Sequence, residues 1–157
     1  MNSVLQADSI KVSVIMDPDE QEELNELLWE VLWKPLEFPK SIRESFRLEG
    51  PGIELMAKQG DKVVGGIVAN WLTPTEVALR HIAVDPSMQD CGIGSMMFEQ
   101  LKMVVKSVGC TMIRGYARNT SVNFFKRQGF VLLPGKTAEH PQFSKHGITF
   151  QQLTYKL

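Results

Sequence analysis

The segment LRHIAVDPSMQDCGIGSMM, from Leu79 to Met97, decides the fold of this chain. It begins as an apolar strand that ends at Val84, where Asp85-Pro86 breaks the extended backbone. Gly92 and Gly94 then open an amphipathic helix. Glycine lets backbone N–H groups approach an anion at a helix start, where the helix dipole favours negative charge. The segment therefore predicts a site for a phosphate-bearing cofactor.

Two better-known phosphate loops do not fit these glycines. A dinucleotide fingerprint needs a third glycine where Met97 stands, and an ATP-type loop needs Gly-Lys-Ser/Thr, which occurs nowhere in the sequence. The pattern that does fit is Gln-x-x-Gly-x-Gly, formed by Gln89, Gly92 and Gly94. This pattern resembles the pyrophosphate loop of the GNAT acetyltransferase superfamily.

A second block strengthens the resemblance. The segment ARNTSVNFFKRQGF, from Ala117 to Phe130, is similar to the family's later helix and strand, which commonly carry an upstream asparagine and end in Phe-Tyr-x-x-x-Gly-Phe. The two blocks stand in the family's order and at its spacing. The resemblance covers nearly the whole chain, so we expect a single N-acetyltransferase domain over residues 1–157.

Acetyl-CoA is the cosubstrate that the resemblance implies, and it implies no metal. The pantetheine arm of acetyl-CoA would pair with the backbone of Ile82 and Val84, and the N–H of Val84 would polarise the thioester carbonyl. Asn119 matches the family's asparagine approximately, and it also fits a plain helix cap. The residues that the resemblance places at the cofactor are Ile82, Ala83, Val84, Gln89, Asp90, Cys91, Gly92, Ile93, Gly94, Ser95, Asn119 and Phe125.

The proton donor departs from the family's pattern. Many members carry a tyrosine four residues before the glycine of the second block, and its hydroxyl protonates the departing CoA thiolate. Here that position is Phe125, before Gly129, and a phenyl ring cannot donate a proton. Tyr116, at the end of the neighbouring predicted strand, is the nearest substitute, although an aromatic residue there also suits packing.

A general base must collect the proton of the attacking amine, directly or through water. His81 has a suitable ordinary pKa and lies on the strand that borders the thioester, and Glu76 lies further up the same strand. Both residues are therefore candidates. A half-buried histidine also commonly has a structural role, so the packing interpretation of His81 stays open.

Length and charge exclude several classes of function. A chain of 157 residues suits one domain, and a net charge of -1 without a long run of Lys or Arg argues against nucleic-acid binding. No basic leader and no apolar run of the ~18 residues that a membrane span needs is present, so we expect a cytoplasmic protein that binds no membrane.

Cys91 and Cys110 are expected to be free thiols. Neither they nor His140 and His146 have the spacing of metal ligands.

Periodicity along the chain predicts the order β-α-α-β-β-β-α-β-α-β-β. The predicted strands are Ile10 to Met16, Ile53 to Lys58, Val63 to Trp71, Glu76 to Val84, Thr111 to Tyr116, Phe130 to Leu133 and Ile148 to Lys156. The predicted helices begin at Asp17-Pro18, at a Ser41 to Glu44 capping box, at the glycine loop and at Thr120. The stretch from Gly135 to Gly147 is predicted as a polar loop. The order agrees with the GNAT topology, which implies an α/β (α+β) fold with a mixed, mostly antiparallel sheet of about seven strands, four flanking helices and a splay at the CoA site.

The resemblance implies that an acetyl group moves from acetyl-CoA to a primary amine by direct attack in a ternary complex. The expected partners are acetyl-CoA and an amine of unknown identity, and the protein is expected to be a monomer or a homodimer. The alternative, favoured by Phe125 and by the lack of an obvious base, is a catalytically weak or inactive CoA-binding sensor or interaction module. A covalent cysteine route is the weaker mechanism, because Cys91 would contribute its N–H and Cys110 would be buried.

Overall fold

The computed structural model describes residues 9–46, 48, 50–135 and 140–157. The strands within these residues are β1 Ile10–Val14, β2 Gly52–Gln59, β3 Lys62–Thr73, β4 Glu76–Val84, β5 Met112–Arg118, β6 Val131–Leu132 and β7 Phe150–Lys156. The α-helices are α1 Pro18–Leu28, α2 Ile93–Lys106, α3 Val122–Arg127 and α4 Pro141–Ser144. The strands form one sheet in the order β1-β2-β3-β4-β5-β7-β6.

The sheet is mixed and mostly antiparallel, as the sequence predicts. Strand β1 pairs antiparallel with β2, and β7 pairs antiparallel with both β5 and β6. Strands β4 and β5 run parallel. Their ladder joins Glu76–Leu79 to Met112–Gly115, which is less than half of the nine residues of β4.

Helix α1 begins where the sequence predicts. The Asp17 carboxylate accepts a hydrogen bond from the backbone N–H of Glu20 at 2.9 Å, and Pro18 occupies the first helical turn. The helix buries Leu24, Leu27 and Leu28. It continues as a π-helical turn over Trp29–Trp33 and a 3-10 turn over Lys34–Leu36.

Two of the predictions about helices are wrong. The segment Lys40–Ser45 is a 3-10 helix, so Ser41 lies inside it and does not cap an α-helix. The predicted polar loop after Gly135 contains α4, which Pro141 starts and which buries Phe143. A buried aromatic residue supports this short helix in a stretch whose composition suggests a loop.

The described residues divide into two compact units. One comprises the chain up to Ser45 together with Glu54–Ile67 and His81–Leu101, and the other comprises Phe46–Ile53, Val68–Arg80 and the chain from Lys102 onward. The single domain over residues 1–157 stays a prediction. No helix among the described residues has the length and apolar character needed to cross a bilayer.

The first unit packs helices on both faces of β3. A Cβ atom added at Gly65 would lie 3.0 Å from atoms of Ile93 and Met97 in α2, whereas Gly66 faces Leu24 of α1. Because neighbouring strand residues point to opposite faces, these two glycines allow both helices to approach the strand closely. The start of α2 is therefore fixed against the sheet.

The second unit has its own core between β5, α3 and β7. The residues Ile113, Ala117, Phe125, Phe130 and Leu153 are at most 5% exposed. Gly115 lies under the ring of Phe125, where an added Cβ atom would be 3.0 Å from Cε1. The alternation of buried and half-buried residues along β5 leaves Arg114, Tyr116 and Arg118 on the face opposite to α3.

Candidate functional site

The glycine loop begins at Asp85, whose carboxylate is held by hydrogen bonds and by an ion pair. Asp85 accepts hydrogen bonds from the hydroxyl and the backbone N–H of Ser87 at 2.8 and 2.9 Å, and Lys62 Nζ lies 3.5 Å from Oδ2. These contacts, the Ser87 hydroxyl first, lower the pKa of Asp85 below its ordinary value. The N–H of Asp85 donates to the carbonyl of Val64 at 2.8 Å. The loop therefore leaves β4 along a defined path.

The middle of the loop turns through two residues with left-handed backbone. Asp90 has a φ of 65° and Gly92 a φ of 81°. An added Cβ atom at Gly92 meets nothing within 4 Å, so glycine is favoured there by its backbone conformation and by the open space it leaves for a ligand. The side-chain amide of Gln89 donates to the carbonyl of Val84 at 3.3 Å, which ties the loop to the strand.

The loop ends at the N-terminus of α2. The N–H of Met96 donates to the carbonyl of Gly92 at 3.0 Å, which closes the first helical turn. The N–H groups of Ile93 and Gly94 lie ahead of this bond, in the part of a helix whose donors have no intrahelical acceptor. Ile93 is 1% exposed, so the helix start is anchored while the loop before it is exposed. This is the geometry of an anion site at a helix N-terminus.

The strand residues that precede the loop have packed side chains. Ile82 and Val84 pack against the buried cluster of Ala57, Val64, Ile93 and Met97. Ala83 is 4% exposed. These residues can therefore serve a ligand through their main-chain groups.

His81 lies on β4 with its ring packed edge-on against Trp33. The two ring centroids are 5.1 Å apart at an interplanar angle of 84°. Trp33 is 2% exposed, and Nε2 of His81 is buried. The His81 ring thus packs against a buried aromatic residue, and it lies three residues before Val84 along the strand. Its predicted role as a base stays a prediction.

Glu76 is engaged in an ion pair. Its Oε1 atom accepts from Nε and Nη2 of Arg114, both at 3.1 Å. The pair joins the beginning of β4 to β5, eight residues before Val84. The structure therefore gives Glu76 a structural role and separates it along the strand from the end where the glycine loop begins.

Tyr116 stands beneath a guanidinium group that the sequence analysis missed. The Arg80 guanidinium carbon lies 4.5 Å from the centroid of the Tyr116 ring, and Arg80 Nε donates to Oδ1 of Asn70 at 2.9 Å. Among the residues that the structure describes, none hydrogen-bonds the Tyr116 hydroxyl. The sequence carries one signal, the polar Asn70 within an apolar run, and the structure shows that this residue is fully buried in β3.

Phe125 is a core residue on the other face of β5. It is 1% exposed, and its ring contacts Phe124 and Phe130 edge-on at centroid distances of 5.6 and 5.0 Å. Gly115 provides the space for this ring. The packing is that of an aromatic core residue, and its predicted place at the cofactor stays a prediction.

Asn119 connects the end of β5 to the segment before β7. Its Nδ2 group donates to the carbonyl of Gly147 at 3.2 Å, and its Oδ1 atom accepts from the N–H of Thr149 at 3.1 Å. The helix-cap interpretation is therefore wrong, because the amide is used in a contact across about thirty residues of chain. Both polar atoms of the Asn119 side chain are thus used in hydrogen bonds within the protein.

The two cysteines differ in environment. Cys91 is exposed in the loop, and Cys110 is 4% exposed. Burial raises the pKa of the Cys110 thiol, since the low-dielectric surroundings disfavour a thiolate. Cys91 Sγ lies 3.7 Å from the carbonyl oxygen of Gln89. Within the described ranges, no group of three or more His, Cys, Asp or Glu residues is placed to hold a metal ion.

Comparison with known proteins shows what the chain resembles. The sequence model of the family described as "Acetyltransferase (GNAT) family" matches residues 19–130. An acetyltransferase of Bacillus subtilis, solved in complex with CoA, is 23% identical with a TM-score of 0.71, covering 95% of this chain and 99% of that chain. The PaiA N-acetyltransferase of Thermoplasma acidophilum, solved in complex with coenzyme A, is 17% identical with a TM-score of 0.74 over 95% and 99% of the two chains. These structural similarities establish a shared fold.

Proposed function

The chain belongs to the GNAT acetyltransferase family, and we propose that it transfers the acetyl group of acetyl-CoA to a primary amine by direct attack in a ternary complex. The two structural neighbours named above were solved with CoA bound. The observation that carries the proposal is the loop before α2, where the left-handed turn at Gly92 leads into the unsatisfied N–H groups of the first helical turn.

The proposed cofactor site comprises the loop and the end of β4. The pyrophosphate of CoA accepts hydrogen bonds from the backbone of Gln89–Ser95, and the helix dipole of α2 stabilises its charge. The pantetheine arm pairs with the main chain of Ile82 and Val84. Two observations support this pairing: the described β4–β5 ladder stops at Leu79, and the side chains of Ile82 and Val84 are already packed.

The chemistry is nucleophilic acyl substitution at the thioester carbonyl. The amine nitrogen forms a bond to the carbonyl carbon, and the N–H of Val84 donates a hydrogen bond to the oxygen on which negative charge develops. Collapse of the tetrahedral intermediate breaks the carbon–sulfur bond and releases the CoA thiolate. The products are an acetylated amine and CoA.

Two protons move during the reaction, and each has an assigned residue. The proposed base for the amine proton is His81, directly or through water, because it lies three residues from Val84 on β4, whereas Glu76 is paired with Arg114. The thiolate gains a proton from Tyr116, whose hydroxyl has no hydrogen-bonding partner among the described residues. Tyr116 is the proposed proton donor because the phenyl ring of Phe125 has no acidic proton.

The reaction needs no thiol nucleophile. The raised pKa of Cys110 keeps that buried group as a thiol at neutral pH, and a thiol is a poor nucleophile. Cys91 belongs to the proposed anion-binding loop, where its backbone N–H would bind the pyrophosphate. Transfer therefore proceeds without an acetyl-cysteine intermediate.

The test is release of CoA from acetyl-CoA in the presence of a panel of primary amines, with mass spectrometry of the products. The proposal predicts one molecule of acetylated amine for each CoA released. Tight binding of acetyl-CoA without acetylation of any amine would contradict it and support a CoA-binding sensor instead.

A further inference from the structure

We propose that Arg80 recognises a carboxylate on the acceptor, so that the substrate class is an amine that also carries a carboxylate. This inference rests on the proposed acetyl transfer and specifies the chemistry of its acceptor. It arises from three residues of the second unit, namely Asn70 on β3, Arg80 on β4 and Tyr116 on β5.

The Arg80 side chain is held in one orientation by two contacts. Its Nε atom donates to Oδ1 of Asn70 at 2.9 Å, and Asn70 is 0% exposed. Its guanidinium carbon lies over the Tyr116 ring, 4.5 Å from the ring centroid. An amide that is fully buried cannot swing aside, so the direction of the guanidinium is set by the protein before any ligand arrives.

The two terminal nitrogen atoms of Arg80 keep their donors available. Within the described part of the chain, the contacts of Arg80 are those with Asn70 and Tyr116, and no carboxylate pairs with it. Arg114 offers the contrast, because its guanidinium is paired with Glu76 at 3.1 Å. Arg80 is therefore a half-buried positive charge with unused donors, whereas the charge of Arg114 is neutralised by Glu76.

A fixed, planar guanidinium with two open nitrogen atoms matches the geometry of a carboxylate, which can accept from both at once. Partial burial strengthens this attraction, since screening by salt and water is weaker there. Tyr116, which the guanidinium covers, is the proposed proton donor. A carboxylate bound at Arg80 would therefore hold the acceptor beside a group that the reaction uses.

The experiment compares amines that differ in a carboxylate alone: 4-aminobutyrate with butylamine, phenylalanine with phenethylamine, and lysine with cadaverine. The kcat/KM for acetylation is measured at saturating acetyl-CoA for the wild type, Arg80→Gln and the control Arg114→Gln. We expect the wild type to favour the carboxylate member of an accepted pair by about tenfold to a hundredfold, the range for a charge-assisted hydrogen bond. Arg80→Gln loses that preference through a higher KM for the carboxylate member, and Arg114→Gln keeps it.

Each remaining outcome overturns the inference. Acetylation without a carboxylate preference in the wild type would do so, as would a preference that survives in Arg80→Gln. A purely structural role of Arg80 would slow both members of a pair equally and leave their ratio unchanged. Faster acetylation of O-phosphoethanolamine than of β-alanine would identify a phosphate in place of the carboxylate.

A second variant covers the case in which Arg80→Gln does not fold. Arg80→Lys keeps the charge but loses the planar fork and the Nε bond to Asn70, so it is expected to lose most of the preference. Circular dichroism establishes that each variant is folded before its rates are compared. If no amine in any pair is acetylated while acetyl-CoA binds, the proposed function itself fails, and the inference fails with it.

Discussion

The side-chain amide of Gln89 donates a hydrogen bond to the carbonyl oxygen of Val84 at 3.3 Å. This bond joins the first residue of the Gln-x-x-Gly-x-Gly pattern to the last residue of β4. The two ends of the proposed cofactor site, the pyrophosphate loop and the thioester-binding strand, are thereby connected by one side chain. Gln89 therefore holds the loop against the end of β4, a role that the sequence pattern alone does not reveal.

Removal of this side chain is expected to weaken binding of acetyl-CoA. Gln89→Ala loses one exposed hydrogen bond, worth about 1 kcal/mol, so affinity should fall by roughly fivefold. Calorimetric titration with acetyl-CoA measures the change. Gln100→Ala, which removes the same group from the middle of α2, serves as the control and should bind like the wild type. Equal affinities for the two variants would show that the loop does not depend on Gln89.

Asp85 should make the stability of the protein depend on pH in acid. Its pKa is lower in the folded protein than its ordinary value, chiefly because of the Ser87 hydroxyl. Such a group adds stability above its ordinary pKa, and that stability is lost as pH falls through the lowered value. Asp85→Asn should therefore destabilise the protein at neutral pH, and the difference from the wild type should shrink as the pH falls below the ordinary pKa of an aspartate.

Urea unfolding at several pH values measures this difference. Ser87→Ala provides the control, because the effect of Asp85→Asn should be smaller when the main hydrogen-bond donor is already absent. A difference that stays constant from neutral pH into acid would contradict the assignment.

Tyr116 should affect the chemical step without affecting cofactor binding. Tyr116→Phe removes the proposed proton donor while it keeps the ring under Arg80. General-acid catalysis typically contributes about 10²–10⁴-fold, so single-turnover acetylation should slow by at least about a hundredfold. The Kd of acetyl-CoA should stay unchanged. A single-turnover rate equal to that of the wild type would show that water or another group protonates the thiolate.

Phe125 should behave as a core residue. Phe125→Tyr adds a hydroxyl to a side chain that is 1% exposed among aromatic neighbours, and a buried hydroxyl without a partner costs about 1–3 kcal/mol. We expect a lower urea midpoint and no gain in single-turnover rate. A faster rate would instead show that position 125 faces the leaving thiolate, as the family resemblance implies.

The central strand and the glycine loop could be predicted from the sequence because their signals are local. Strand β4 occupies Glu76–Val84 as predicted, since an apolar run bounded by Thr73-Pro74 and Asp85-Pro86 defines both of its ends. Gly60, with a φ of 61°, supplies the left-handed turn between β2 and β3. Signals of this kind depend on neighbouring residues, which the sequence displays directly.

The contacts that define the rest of the candidate site are distant in sequence. Asn119 bonds Thr149 thirty residues later, and Glu76 bonds Arg114 thirty-eight residues later. Neither partner can be identified from local pattern, so Asn119 suggested a cap and Glu76 suggested a base. Arg80 was overlooked for the same reason, because its place over Tyr116 follows from the pairing of β4 with β5.

Binding of acetyl-CoA to the loop at the start of α2 is the central claim, and Gly94→Val tests it most directly. A branched side chain in the first helical turn would occupy the space that the pyrophosphate needs. Gly109→Val is the matched control, since Gly109 follows the other end of the same helix, and an added Cβ atom there meets nothing within 4 Å. Because Gly109 has a φ of 100°, valine strains the backbone at position 109 at least as much as it does at position 94.

The deciding measurement is calorimetric titration of acetyl-CoA into the wild type and these two variants. The account predicts that the wild type and Gly109→Val bind acetyl-CoA with similar affinity, whereas Gly94→Val shows no binding although circular dichroism finds it folded. Wild-type affinity in folded Gly94→Val would contradict the assignment of the loop as the cofactor site.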